Sequence, residues 1–306
     1  MAGVKEIKSR IKSIRDTRKI TNAMYLISST KIKKARAELE NTRPYFYALR
    51  TEIKRLFRTV KDIESKYLYP IDRKDFKDGV DAVLLITADK GLAGPYNHNA
   101  IKKALDFSID NEVKYYIVGE YGRQYFYRHN IEFESSFTFS AQSPTMDEAY
   151  EIADLLLDEF ELGTIAKIFI VYTDYNSITK GEAILTRLLP FHREYFDENK
   201  KLEEKRVNQP FEFDTNPREI LESVTESYVV GFIYGALVDS YCSELDFRMN
   251  AMNSANTNAD GILDDLTLEY NRVRQQAITQ EITEVSAGAK AMRMKRKVKK
   301  WKNKGK

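Results

Sequence analysis

The sequence predicts a protein of α/β plus long helices: an antiparallel coiled coil of the N- and C-terminal helices with a Rossmann-like α/β domain inserted between them. Three observations predict it. Residues 1–58 and 216–292 carry apolar residues at the alternating three-and-four spacing of a coiled-coil seam. Residues 76–208 switch to short apolar runs alternating with helix-like segments, the pattern of a parallel-sheet α/β unit. The two helical ends share seam geometry across that insert, so each can supply the partner the other requires. Residues 293–306 form a fourth segment, a basic extension.

In the first helix Val4, Ile7, Ile11 and Ile14 are spaced 3, 4, 3, and the stripe continues in mixed form through Ala23, Met24, Ile27 and Ile32. Ser28, Ser29 and Thr30 interrupt it, so a less uniform seam is expected there. At about 1.5 Å per residue the segment spans roughly 85 Å, and Pro44 predicts a kink. Ala82 to Thr87, Tyr115 to Val118 and Ile168 to Tyr172 read as strands, and Glu182 to Leu189 as a final one. Thr145 with Glu148 forms a capping box for a helix through Leu157. A charged stretch, Asp197 to Asn208, leads into the last helix, where Asn216 caps, Pro217 takes the first position and Glu219 sits where a capping box places its acid. Leu263, Leu266, Tyr270, Val273 and Ala277 form one row, and Ile278, Ile282, Val285, Ala289 and Met292 form a second, offset row. Two rows imply contact on more than one side. This helix could exceed about 110 Å, with Asn256 to Gly261 expected to loosen it locally.

A chain of 306 residues with 42% hydrophobic content can bury a real core. No run reaches the roughly 18 apolar residues of a membrane span, and the opening Met1-Ala2-Gly3-Val4-Lys5-Glu6 reads as neither a signal nor a transit peptide. Membrane association is therefore expected through partners. Cys242 is the single cysteine, which excludes an internal disulfide, no Cys/His spacing suits zinc, and a reducing compartment fits best. The net charge of +3 hides an asymmetry: residues 290–306 hold ten Lys or Arg and no acid, which leaves the remainder at −7 once those ten are removed. Residues 1–36 add eleven Lys or Arg against only Glu6 and Asp16. Positive ends predict acidic partners, whether protein surface, phospholipid or nucleic acid.

The segment Ile278-Thr279-Gln280-Glu281-Ile282-Thr283-Glu284-Val285-Ser286-Ala287-Gly288-Ala289 is similar to the signature of the ATP synthase gamma family, agreeing at every defined position. Lys19-Ile20-Thr21-Asn22-Ala23-Met24 followed by Ser29-Thr30-Lys31 resembles the family's opening helix, and Arg43-Pro44-Tyr45 its kink. Asp89-Lys90-Gly91-Leu92-Ala93-Gly94 resembles the loop after the first central strand, and Arg248-Met249 with Ala251-Met252 another family stretch. The resemblance implies a central stalk rotor of an F-type ATP synthase. Its coiled coil would thread the hexamer of alpha and beta subunits, and its α/β domain would sit on the c-ring with epsilon alongside. Such a shaft couples proton or sodium flow to ATP synthesis by rotation, regulates ATPase activity, and is not catalytic by itself. It implies a peripheral membrane protein on the cytoplasmic face of a bacterial cell membrane.

By matching positions, Met24, Arg248, Gln275, Thr279, Glu281 and Glu284 are the expected rotor–stator contacts. Arg10, Arg15, Arg18, Lys31 and Lys33 are weaker candidates, chosen on charge alone, with a solvated helix face as the equal alternative. The glycines of the Gly91–Gly94 loop invite a phosphate-binding reading, but neither GxGxxG nor GxxxxGK[ST] occurs, so a plain strand-to-helix turn is expected. Gly119 and Gly122 form a weaker pair still, and His98, His129 and His192 are scattered without a second ligand or nucleophile. No catalytic residue, cofactor, metal site or specific nucleic-acid partner is therefore assigned. Cys242, one turn after Val238, reads as a small buried hydrophobe, and one cysteine cannot form the regulatory pair of the family's chloroplast branch. The family places the neighbourhood of residues 197–208 near the c-ring. Family members usually end within a few residues of the Gly-Ala pair, so residues 293–306 depart from the pattern. As helix they add about 21 Å. Cations suit a helix C-terminus and fit a solvated, fraying extension. Met294, Val298 and Trp301 at i, i+4 and i+7 leave room for a membrane-surface or partner-binding helix, and charge alone for nonspecific nucleic-acid attraction.

Overall fold

The computed structural model describes residues 2–59, 65–69, 79–175, 182–191 and 216–304. In chain order the elements are α1 (Ala2–Thr59), β1 (Val80–Ile86), α2 (Tyr96–Ser108), β2 (Val113–Val118), α3 (Glu120–Arg128), α4 (Met146–Glu161), β3 (Ile165–Thr173), β4 (Ala183–Leu189) and α5 (Pro217–Lys304). The chain divides into two compact units: Met1–Tyr25 with Met252–Lys306, and Leu26–Ala251. Two expectations fall wholly or partly elsewhere. The charged stretch 197–208 and His192 lie outside the described residues.

In the first unit the helices pair antiparallel. Ile7 and Ile11 pack with Leu266, flanked by Ile14, Leu263, Tyr270 and Val273, while farther along α1 the Thr21 hydroxyl meets the Asn256 carboxamide oxygen. Arg18 pairs with Asp260 at 2.7 Å. The seam on α1 therefore runs Val4, Ile7, Ile11, Ile14, Arg18, Thr21, Tyr25 in strict 3, 4 alternation, with Arg18 and Thr21 as polar layers. Following apolar residues alone leads off this line, and Ile27 is 55% exposed. On α5 the matching row is Met252, Asn256, Ala259, Leu263, Leu266, Tyr270, Val273, Ala277. The expected loosening at 256–261 is absent: α5 continues as helix through it, because Asn256 and Asp260 are the groups that bond to α1. From Ile278 to Lys295 every residue is exposed, and no described helix faces this stretch.

The second unit is built on a four-stranded sheet in the order β2-β1-β3-β4. β1 pairs parallel with both β2 and β3. β4, by contrast, runs antiparallel to β3, because the nine residues 174–182 between them are fewer than the dozen or so that a parallel crossover needs. Side chains alternate across β1, as the period of two requires. Ala82, Leu84 and Ile86 enter a core with Ile152 and Leu156 of α4, Ile53 and Leu56 of α1, and Val229 and Ile233 of α5. Val83 and Leu85 face Ala100, Ile101 and Ala104 of α2 and Phe126 of α3. Burial on both faces explains why the strands read as unbroken apolar runs.

The helix starts follow their local chemistry. Thr145 and Glu148 exchange bonds of 3.2 and 3.0 Å as a full capping box for α4, and the Asn216 carboxamide oxygen accepts from the Arg218 amide at 3.0 Å where α5 begins at Pro217. Pro44 lies inside α1, whose helix continues to Thr59. Cys242 is fully buried in the core of the second unit.

Candidate functional site

Two surfaces carry the sequence-derived positions. The first is α5 beyond Ala277. Ile278, Ile282, Val285 and Met292 expose 43%, 64%, 73% and 69% of their surface, an apolar row on a helix that no described residue covers. Gln275, Thr279, Glu281 and Glu284 are exposed on the same helix. Thr279 donates its hydroxyl to the Gln275 carbonyl at 2.9 Å, and Gln280 donates to Glu284 at 3.0 Å. Gln275, Thr279 and Glu284 line one shallow groove with Arg272, Gln276 and Thr283. At about 100° per residue, Glu281 lies well round the helix from Gln275 and Thr279, so the polar candidates ring this helix. Met24 is half-buried on α1, and Arg10, Arg15, Lys31 and Lys33 are exposed. Arg18 is engaged within the chain by Asp260, with both side chains half exposed.

The second surface is the loop Asp89–Gly94, between β1 and α2. It is held from three sides. The Asp89 carboxylate accepts from the Glu120 amide at 3.1 Å, the Ser140 hydroxyl at 2.6 Å and the Ala141 amide at 3.3 Å. Asn97 accepts from the Ala88 amide at 2.8 Å. From α5, Arg248 donates to the carbonyls of Lys90 and Gly91 at 3.3 and 3.0 Å. Leu92 then projects from the loop, 62% exposed, with φ at +67°. Held by these side chains, the loop turns the chain from strand to helix.

Arg248 is thus turned into the second unit, its side chain only 14% exposed and ion-paired with Glu244 one turn before it. Sequence reading missed Glu244; its signal is the i, i+4 Glu–Arg spacing. Burial pushes the Glu244 carboxyl up to about 7, against the attraction of Arg248 and Lys31 and with added repulsion from Asp89. His98 and His129 are exposed, and His129 stacks on Tyr125 while its Nδ1 lies 2.8 Å from the Tyr125 carbonyl. Among the described residues there is no group of three or more potential metal ligands, and no helix is long and apolar enough to cross a membrane.

A family model described as ATP synthase matches residues 3–292. The ATP synthase gamma chain of Caldanaerobacter subterraneus subsp. tengcongensis is 39% identical over 293 residues, covering 94% of this chain and 99% of the relative. The chain belongs to the ATP synthase gamma chain family. The gamma chain of Acetivibrio thermocellus is 38% identical, with 96% and 100% covered. A sodium ion specific gamma chain from Acetobacterium woodii is 33% identical, with 94% and 98% covered. Among solved structures, the chain superposes on chains of two Euglena gracilis mitochondrial ATP synthase structures. One, from a rotational state 3 assembly, gives a TM-score of 0.63 at 15% identity with 95% of each chain covered. The other, from the rotor in rotational state 1, gives 0.59 at 15% identity with 90% and 99% covered. At such identity these likenesses speak for the fold. As a gamma chain the protein is a non-catalytic component of its complex, and the family match ends at Met292, leaving residues 293–306 outside it.

Proposed function

We propose that this chain is the central stalk rotor of an F-type ATP synthase. Its paired helices enter the hexamer of alpha and beta subunits, and its α/β unit meets epsilon and the c-ring, so that rotation couples ion flow to ATP synthesis and sets ATPase activity. One observation carries the placement: α5 is helical past Ala277 yet presents an exposed apolar row, which calls for a surrounding surface. An asymmetric rod inside a ring favours a different conformation of each catalytic site at each angle, and differential contacts do the coupling. Met24, Gln275, Thr279, Glu281 and Glu284 contact the stator directly, and Arg248 does so with the loop it holds. Arg10, Arg15, Arg18, Lys31 and Lys33 add positive charge toward acidic beta-subunit segments. The complex lies on the cytoplasmic face of a bacterial cell membrane, and this chain reaches the membrane through its partners.

The test is copurification. The tagged chain should bring down alpha, beta, epsilon and c subunits, identified by mass spectrometry, and should hydrolyse almost no ATP when pure. Robust hydrolysis by the isolated chain would overturn the reading. A second experiment addresses Met24→Lys, which adds a cation to the rotor face. It should lower ions pumped per ATP severalfold while the amount of assembled complex stays near wild type, and unchanged pumping per ATP removes Met24 from the contact set. Removing residues 293–306 should leave assembly intact and change synthesis and hydrolysis by less than about twofold, as befits a basic segment at a helix C-terminus. A larger loss in either rate assigns the extension a partner.

A further inference from the structure

Among the described residues two acids are buried, Asp81 and Glu244, and the rotor reading uses neither; Asp81 pairs with Lys167 on the neighbouring strand. Glu244 is 5% exposed, and it is ion-paired with Arg248, on the next turn of α5. That guanidinium in turn reaches two consecutive carbonyls, Lys90 and Gly91. The acid, the guanidinium and the loop form one chain of contacts ending at Gly91, next to the exposed Leu92. We propose that Glu244 is a positioning residue which, through Arg248, holds the Asp89–Gly94 loop in shape, and that protonation of Glu244 loosens the loop.

The surroundings explain why this carboxyl can titrate in a physiological range. From α1, Lys31 attracts it; from the loop, Asp89 repels it; from α2, the buried Tyr96 phenol interacts with it; on its own helix, Arg248 pairs with it. Burial outweighs the two cations and brings the carboxyl to about 7. Above that pH the carboxylate fixes the guanidinium by a charge-assisted pair. Below it the neutral acid loses that pull, and Arg248 retains only the two carbonyls.

Global stability runs the other way. A carboxyl whose folded value is raised from 4.5 to about 7 contributes stability that is fully present below 4.5 and lost as pH rises through 7. Acid therefore favours the fold at Glu244 while loosening the loop. A merely structural acid would not show these opposite trends.

The inference leans on the rotor reading only for what a looser loop does in the complex; the hold itself belongs to the chain. Amide hydrogen exchange of the full chain at pH 6 and pH 8, corrected for intrinsic exchange, reads it directly. From pH 8 to pH 6, protection should fall about tenfold, the worth of one hydrogen bond to a charged group, at the amides bonded to the loop: Tyr96 on the Ala93 carbonyl, and Glu120 and Ala141 on the Asp89 carboxylate. In Glu244→Gln the fall should vanish. The same pH response in both proteins, or none in either, overturns the proposal. Should Glu244→Gln fail to fold, Arg248→Lys decides, since lysine keeps the pair but cannot span two carbonyls as the planar guanidinium does. Its loop at pH 8 should be as unprotected as wild type at pH 6, and wild-type protection there overturns the proposal. Failure to copurify with alpha and beta subunits would sink the rotor reading and leave this exchange result standing.

Discussion

Gly119→Ala is expected to destabilise the second unit by about 4–6 kcal/mol, a large share of the roughly 5–15 kcal/mol that holds an ordinary domain. Gly119 caps α3 with φ at +95°, where an L side chain is strained. A Cβ there would lie 2.3 Å from the Thr87 carbonyl oxygen and 2.8 Å from that of Ala88. Both are backbone atoms at the end of β1, so no rotamer change relieves the overlap. Relief requires α3 to withdraw from the sheet. That would break the bonds from the Tyr121 amide to Ala88, from the Gly122 amide to the Thr87 hydroxyl and from the Gly119 amide to Phe139, each worth about 1 kcal/mol. Overpacking adds about 1–3 kcal/mol. Urea unfolding should show a lower midpoint at unchanged slope. Gly94→Ala is the control: φ there is +53° with open space around the new Cβ, so about 1 kcal/mol is expected. Equal costs at the two positions would refute the role given to close approach.

Ile11→Asp should separate the two helices of the first unit while leaving the second folded. Ile11 is buried with Ile7 and Leu266 in a cluster of three buried residues and four flanking ones. An unpaired carboxylate in such a seam costs several kcal/mol, more than so small a cluster can offset. Once unpaired, each helix has only its own propensity, which is marginal in water. Circular dichroism should therefore lose helix signal, and proteolysis should cut within residues 1–25 and 252–306 faster than in the wild type, with cleavage elsewhere unchanged. Retention of wild-type helicity would contradict it. Arg18→Ala offers the contrast, because its pair with Asp260 is half exposed on both sides and should be worth less than about 1 kcal/mol.

Much of this fold is legible residue by residue. Thr145 with Glu148, and Asn216 ahead of Pro217, mark helix starts because the first amides of a helix need acceptors supplied locally, that of Arg218 finding the Asn216 side chain. The strands are legible because burial on both faces removes polar residues from their middles. The seam is legible only where it is apolar, at Ile7, Ile11, Leu263 and Leu266. Its polar layers, Arg18, Thr21, Asn256 and Asp260, are invisible to a search for hydrophobic spacing, and the last two were misread as a weak point for the same reason. In the candidate site, the exposed α5 positions could be named from their motif. The inward turn of Arg248 could not.

What the sequence by itself determined is local and periodic: two long helices, three parallel-sheet strands, an absence of site motifs and a family signature near its C-terminal end. Only the tertiary structure decided which groups meet across long separations. It placed β4 antiparallel on β3 and bonded Thr21 to Asn256. It also drew Arg248 onto carbonyls more than 150 residues earlier in the chain. Periodicity records which face of an element avoids water. It does not record which distant partner satisfies a polar group, since a hydrogen bond depends on a position in space that only the closed core supplies.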